Sequence, residues 1–100
     1  MYGTIARIHA KPGHFEELAR LAEEWNLERK PKVAGAIASY LFTPDGSPYG
    51  RPTQFLIAVF EDQQTYRQNA DDPAQDAWYR RMREHLEDDP EWSDGTFQSF

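Results

Sequence analysis

The sequence predicts one α+β domain whose elements follow the order β-α-β-β-α-β around an antiparallel sheet, the ferredoxin-like arrangement. Its 100 residues are enough for one domain, spanning residues 1–100, and too few for a second. Apolar residues alternate with polar ones in the first ten positions, as in a strand, and then recur at helical spacing. Two apolar segments and a second helical pattern follow. The spacing of apolar residues therefore changes between strand and helix periods in the order that this fold requires.

The first strand, the first helix and the second strand are predicted within residues 1–42. Alternation over residues 3–10 indicates the strand, which a Lys-Pro-Gly sequence ends. Apolar residues at helical spacing predict a helix from about Phe15. Pro31 ends this helix, because the residue before a proline disfavours helical geometry. Residues 33–42 are apolar and suited to a strand.

A long loop, a strand and a short helix are predicted next. Residues 43–52 contain three prolines and two glycines, which predict the loop. Residues 54–60 are apolar and form the next strand. Asp62 is placed to cap a short helix that ends near Ala70.

The second helix is broken and then restarts. Asp72 supplies a new cap, and Pro73 suits the first helical position because its missing N–H needs no partner there. The buried stripe of this helix is predicted as Ala74, Trp78, Met82 and Leu86. After Pro90, residues 96–100 are predicted to form the last strand.

The two central strands predict a homodimer. When both helices cover one face of an antiparallel sheet, the other face is wet and its strands alternate apolar and polar residues. Residues 54–60 and 36–42 are instead apolar on both faces. The chain has no spare element to cover the second face, so we expect a second copy to pack against it, sheet to sheet.

Composition and charge exclude several classes. The net charge is −6, and residues 84–100 supply all of it, since residues 1–83 contain eleven acidic and eleven basic side chains. A sequence pI near 4.9 argues against nucleic-acid binding. The absence of cysteine excludes disulfides and thiolate metal sites. No apolar run has the ~18 residues of a membrane span, and no signal-peptide pattern is present, so we expect a cytoplasmic protein without membrane partners.

Four short motifs occur in the order and spacing of a known family. Ala-Arg-Ile-His-Ala-Lys-Pro-Gly at 6–13 leads into the first helix, and Val-Phe-Glu-Asp at 59–62 closes the third strand. A segment at 66–78 and Asp-Pro-Glu-Trp-Ser-Asp-Gly at 89–95 complete the match. Over nearly its whole length the chain resembles the antibiotic biosynthesis monooxygenase (ABM) type of dimeric α+β barrel proteins. The resemblance implies a barrel shared by two chains, with a pocket between helices and sheet in each.

The same resemblance argues against haem. The histidine that many members carry in the second helix falls on Asn69. The three positions that serve haem in the haem-degrading branch fall on Ala6, Asn69 and Tyr79, and none is kept. We therefore expect a cofactor-independent monooxygenase, if the chain is an enzyme, with molecular oxygen as co-substrate.

An aromatic surplus predicts the pocket. Fourteen aromatic residues exceed twelve valines, isoleucines and leucines, more than a small core ordinarily employs. Cofactor-free oxygenation needs a dry pocket that orients a phenol or quinol and holds its proton. Tyr40 and His85 could add polar groups to it, and Asn69 or Tyr79 could hydrogen-bond the substrate oxygen. The predicted lining is Phe60, Tyr66, Asn69, Trp78, Tyr79 and Met82.

Less specific interpretations remain open. Trp78 and Met82 could belong only to the core, and the protein could be a non-catalytic homodimer that binds a small ligand or has a structural role. His9 is expected near the dimer interface and His14 on the surface, and the three histidines lack metal-ligand spacing. The acidic segment from Glu87 to Asp94 is expected to be a solvated turn rather than a calcium site.

Overall fold

A computed structural model describes all residues, 1–100, and confirms the α+β fold class. Four antiparallel strands form one sheet in the order β2-β3-β1-β4. Three α-helices pack on one face of this sheet, where their apolar side chains join those of β1 and β3 in a single core. In chain order the elements are β1 (Tyr2–Ile8), α1 (Phe15–Glu24), β2 (Ala36–Phe42), β3 (Gln54–Phe60), α2 (Gln63–Ala70), α3 (Pro73–Arg83) and β4 (Glu91–Thr96).

The first helical segment continues beyond α1. A π-helical turn, Trp25–Arg29, and a short 3-10 turn, Lys30–Lys32, extend it to just past the predicted proline stop. The second strand then begins at Ala36 rather than at residue 33, because Gly35 turns the chain at φ 84°. A Cβ at Gly35 would lie 2.7 Å from the Thr65 side chain, so only glycine fits this turn.

Both predicted helix caps are confirmed. The backbone N–H of Thr65 donates to Asp62 Oδ1 over 2.9 Å at the start of α2, and the Ala74 N–H donates to Asp72 Oδ1 over 2.9 Å at the start of α3. Pro73 is the first residue of α3. Each cap satisfies a helix N–H that has no partner within the helix.

The predicted stripe of α3 is right at three of four positions. Trp78, Met82 and Leu86 are buried, whereas Ala74 is exposed. Ala74 lies in the first turn, beside the exposed residues Pro73 and Asp76, where the helix has not yet reached the core. Leu86 follows the end of α3 and pairs with Ala10 in an isolated bridge.

The prediction for the last strand is wrong. The strand is β4, Glu91–Thr96, and residues 97–100 follow it outside any strand. β4 pairs with the edge of β1 from Tyr2 opposite Thr96 to Arg7 opposite Glu91. All its residues except Gly95 are exposed, so no apolar alternation marks it in the sequence. Backbone pairing with β1, rather than side-chain burial, creates this strand.

The two faces of the sheet differ in what covers them. The covered face packs against the helices and is defined by Thr4, Ala6, Ile8, Leu56 and Phe60; Ala6, Ile8 and Phe60 are at most 1% exposed. The open face is defined by Ile5, Tyr40, Phe42, Phe55 and Ile57. In register, Ile57 lies between Ile5 and Tyr40, and Phe55 lies next to Phe42. Large apolar side chains therefore line both faces of the central strands, as predicted; the homodimer itself stays a prediction.

Candidate functional site

A cavity of about 430 Å³ lies between the helices and the covered face. Thirteen of its eighteen lining residues are hydrophobic, so a ligand of low polarity would leave water favourably on entering it. Of the six predicted lining residues, the structure brings five together around this cavity: Phe60, Tyr66, Asn69, Trp78 and Tyr79. Met82 is not part of the lining. It is 1% exposed and packed in the core cluster.

Aromatic rings form much of the cavity wall. Phe60 contacts Trp25 edge to face, with ring centroids 6.5 Å apart, and Tyr66 at 5.4 Å. At the β4 end, the Tyr79 ring lies 6.0 Å from that of Trp92. Such contacts hold the rings at fixed angles, which favours a flat ligand.

Trp78 belongs to both the core and the wall. It is 9% exposed, and its indole N–H donates to the Leu21 carbonyl oxygen over 2.9 Å. Because the only polar group of the indole is satisfied inside the protein, the ring offers the cavity an apolar surface.

Tyr66 carries the one strongly shifted acid of the cavity wall. Its hydroxyl donates to Asp94 Oδ1 over 2.8 Å. Burial, and to a lesser extent the hydrogen bond to Asp94, raise the pKa of Tyr66 to about 12, while a hydrogen bond with Thr4 opposes the shift. The phenol therefore stays protonated, with its proton directed to Asp94, and its oxygen can still accept a hydrogen bond from a ligand.

Asp94 lies in a strand rather than in the predicted acidic turn, although its side chain is exposed, as expected of a solvated residue. It lies in β4 directly opposite Thr4 of β1, and so on the covered-face side of that strand. The sequence alone contained no signal for this position, because β4 has no alternating pattern.

Two amide side chains line the cavity at the junction of α2 and α3. Asn69 is 8% exposed, and its Oδ1 accepts from Arg29 Nη2 over 3.0 Å. Gln75 Oε1 accepts from the Trp25 indole N–H over 2.7 Å. Arg29 Nη2 also lies 3.5 Å from Asp72 Oδ2. The residue pattern indicated Asn69 but neither Gln75 nor the two donors, because these contacts join residues 40 and 50 positions apart.

The histidines lie outside the cavity. His14 and His85 approach each other with their Nδ1 atoms 2.9 Å apart, so His14 is half-buried rather than on the surface. His85 instead borders a polar cleft between α1 and the end of α3, with Glu17 and Arg81. His9 Nδ1 lies 3.3 Å from Thr53 Oγ1, at the end of the loop that precedes β3. No group of three or more metal-ligating side chains occurs.

Solved structures with the same fold include proteins from bacteria and a plant. A Nitrosomonas europaea protein, whose name assigns it to the antibiotic biosynthesis monooxygenases, superposes with a TM-score of 0.77 at 13% identity, covering 99% of this chain and 100% of its own. A Caulobacter crescentus protein with a similar assignment gives 0.79 at 11% identity, covering 98% and 90%. A protein from Arabidopsis thaliana gives 0.81 at 13% identity, covering 100% and 98%.

The chain has the fold of the ABM-type proteins. This confirms, at the level of the fold, the resemblance that the sequence motifs indicate. No protein-family model and no curated protein matches the sequence. None of the helices is both long enough and apolar enough to cross a membrane.

Proposed function

We propose that the protein is a homodimeric, cytoplasmic, cofactor-independent monooxygenase that oxidises an aromatic phenol or quinol in the cavity. The observation that carries this proposal is the cavity itself: an aromatic, largely apolar space of about 430 Å³ whose wall includes a tyrosine hydroxyl already bound to a carboxylate. Solved structures with ABM assignments and this fold support it.

The chemistry requires no electron source besides the substrate. A phenol or quinol tautomer with a CH₂ group beside its conjugated ring system loses a proton and passes an electron to O₂. The two radicals combine into a carbon-bound peroxide anion, which takes back the proton to become a hydroperoxide and then loses water to leave a carbonyl group. In sum, R₂CH₂ and O₂ give R₂C=O and H₂O, so one oxygen atom enters the product and the other leaves as water.

Tyr66 is the residue proposed to hold the substrate proton during this reaction. As a substrate hydroxyl gives its proton to the Tyr66 oxygen, the Tyr66 proton can move to Asp94 along the 2.8 Å hydrogen bond. The apolar wall favours electron transfer from the substrate anion, because it removes the water that would otherwise stabilise that anion. Tyr79, half-buried in the wall, offers a second hydroxyl to the substrate.

The homodimer is proposed from the open face. Tyr40 and Phe42 are 61% and 52% exposed, and they lie beside Ile57 and Phe55 in one apolar surface. Burying a large apolar side chain contributes about 1.5–3 kcal/mol, so several of them together can stabilise an interface. A second copy offers a surface of the same shape and chemistry.

Oxygen uptake with anthrones, naphthoquinols and catechols tests the activity. We expect at least one compound to be consumed faster than in buffer, with O₂ and product in equal amounts. Tyr66→Phe should lower kcat about 100-fold, since it removes a positioned proton acceptor. Tyr49→Phe makes the same chemical change at an exposed tyrosine outside the cavity wall and should leave the rate unchanged. Uptake at the background rate with every compound would contradict the proposal.

A non-catalytic ligand-binding dimer is the second candidate. It is favoured because no group in the wall is an obvious free base: Asp76, the one lining carboxylate, pairs with Arg80 over 2.9 Å, and Tyr66 keeps its proton. Under this alternative, the same compounds would raise the melting temperature without any oxygen uptake.

A further inference from the structure

The side-chain oxygen atoms of the two amides in the cavity wall, Asn69 and Gln75, accept hydrogen bonds from other residues of the protein. The Trp25 N–H donates to Gln75 Oε1, and the Arg29 guanidinium donates to Asn69 Oδ1. An indole N–H and a guanidinium can only donate, so they dictate which end of each amide faces them. The NH₂ groups of Asn69 and Gln75 are therefore the ends left for the cavity, and neither has a hydrogen-bond partner within the protein.

Both amides lie beside the junction of α2 and α3, Asn69 near the end of α2 and Gln75 near the start of α3. Trp25 and Arg29 are the first and last residues of one π-helical turn. Trp25 donates to Gln75 in α3, and Arg29 donates to Asn69 in α2. Trp25 is 5% exposed, and the Arg29 side chain is 17% exposed. The two donors are thus held by packing, which limits the rotation of the amides that they contact.

We propose that Asn69 and Gln75 form a donor subsite that binds a carbonyl or oxyanion oxygen of the ligand, with Trp25 and Arg29 as positioning residues. The subsite rests on the proposed function in one respect, namely that the cavity binds an aromatic molecule. It adds a requirement that the apolar wall alone does not impose: the ligand must carry an acceptor oxygen at the end that meets the α2–α3 junction.

Charge near the subsite is consistent with an acceptor atom. The Arg29 guanidinium polarises the Asn69 amide and so strengthens its NH₂ as a donor. Two carboxylates lie nearby, but each has a cationic neighbour: Asp72 is 3.5 Å from Arg29, and Asp76 is 2.9 Å from Arg80. An incoming oxygen lone pair therefore meets amide donors rather than an unpaired negative charge.

A matched pair of flat probes tests the subsite. 9-Fluorenone and fluorene share a ring system, but only the ketone has an acceptor oxygen. We expect the wild-type protein to bind fluorenone at least about tenfold more tightly, as measured by quenching of tryptophan fluorescence, because one hydrogen bond to a desolvated carbonyl has that effect.

Three variants separate the subsite from general packing. Gln75→Glu keeps an acceptor for the Trp25 N–H but replaces the NH₂ by a carboxylate oxygen, so the preference for fluorenone over fluorene should disappear. Gln64→Glu makes the same change at an exposed position in the first turn of α2, outside the cavity, and should keep the preference. Trp25→Phe should reduce the preference, because it frees the Gln75 amide to rotate.

The outcomes distinguish this inference from the proposed oxygenase. Equal affinity for both probes, binding of neither probe, or an unchanged preference in Gln75→Glu would overturn the subsite. A preference that Gln75→Glu abolishes, together with no oxygen uptake by any compound, would support the subsite and contradict the oxygenase. Oxygen uptake without a preference for fluorenone would support the oxygenase and contradict the subsite.

Discussion

The two faces of the sheet carry similar amounts of apolar surface but have different surroundings. On the covered face, Ile8 and Phe60 are each 1% exposed beneath the helices. On the open face, Ile5 is 39% exposed, although it lies in the same strand as Ile8. Phe42 is 52% exposed, although its strand pairs directly with that of Phe60. The residues of the covered face pack against the helices of the same chain, and a cavity lies between this face and the helices. The open face is covered only in part within the chain, where the Tyr49 ring lies 5.6 Å from that of Phe55, and its exposed apolar residues form the surface of the proposed dimer.

The largest effect is expected from a charge on the open face. Phe42→Asp should convert the proposed dimer to a monomer, because an unpaired carboxylate would have to be buried at the interface. Size-exclusion chromatography with light scattering would then give 11.7 kDa instead of twice that mass. Leu27→Asp places the same charge on a 64% exposed residue of the π-helical turn and should leave the dimer intact. A wild-type protein that is monomeric at micromolar concentration would contradict the dimer.

Two isoleucines of β1 compare the faces directly. Ile8→Ala on the covered face should lower the free energy of unfolding by about 2–5 kcal/mol, because it leaves a cavity in the core. Ile5→Ala on the open face should lower it less, and the loss should vary with protein concentration, because Ile5 lies in the interface of the proposed dimer. Urea denaturation at two protein concentrations measures both. Equal, concentration-independent losses would show that Ile5 does not lie in an interface.

The smallest effect concerns Tyr66 on the covered side. Its pKa of about 12 in the folded protein exceeds the ordinary value of 10.0, so the folded state keeps a proton that the unfolded state loses. The stability that this proton contributes is present below pH 10 and is lost as the pH rises toward 12. During a titration to high pH, the ultraviolet absorbance of tyrosinate should show one tyrosine that loses its proton at a higher pH than the others. This step should be absent in Tyr66→Phe. Asp94→Asn should lower the pKa of Tyr66 but not to the ordinary value, because burial is the larger cause of the shift.

The sequence by itself determined the elements whose signals are local. Asp62, Asp72 and Pro73 mark helix starts through hydrogen bonds and dihedral preferences within a few residues. The apolar residues of β3 mark a strand, and its apolar character on both faces is the basis for predicting a second copy on the open face. The order of these elements, with the short ABM-type motifs, was enough to predict the fold, and five of the six residues predicted to line a pocket are among the eighteen that line the cavity.

Only the tertiary structure decided the features that depend on distant residues. β4 is a strand because β1 offers an unpaired edge, not because its own side chains alternate. Asp94 reaches Tyr66 across 28 positions, and Trp25 reaches Gln75 across 50. Such hydrogen bonds form between side chains that folding brings together, and a residue's type does not reveal its partner. The chemistry of the cavity therefore appears only after the chain is folded, because its polar groups are oriented by residues that are remote in sequence.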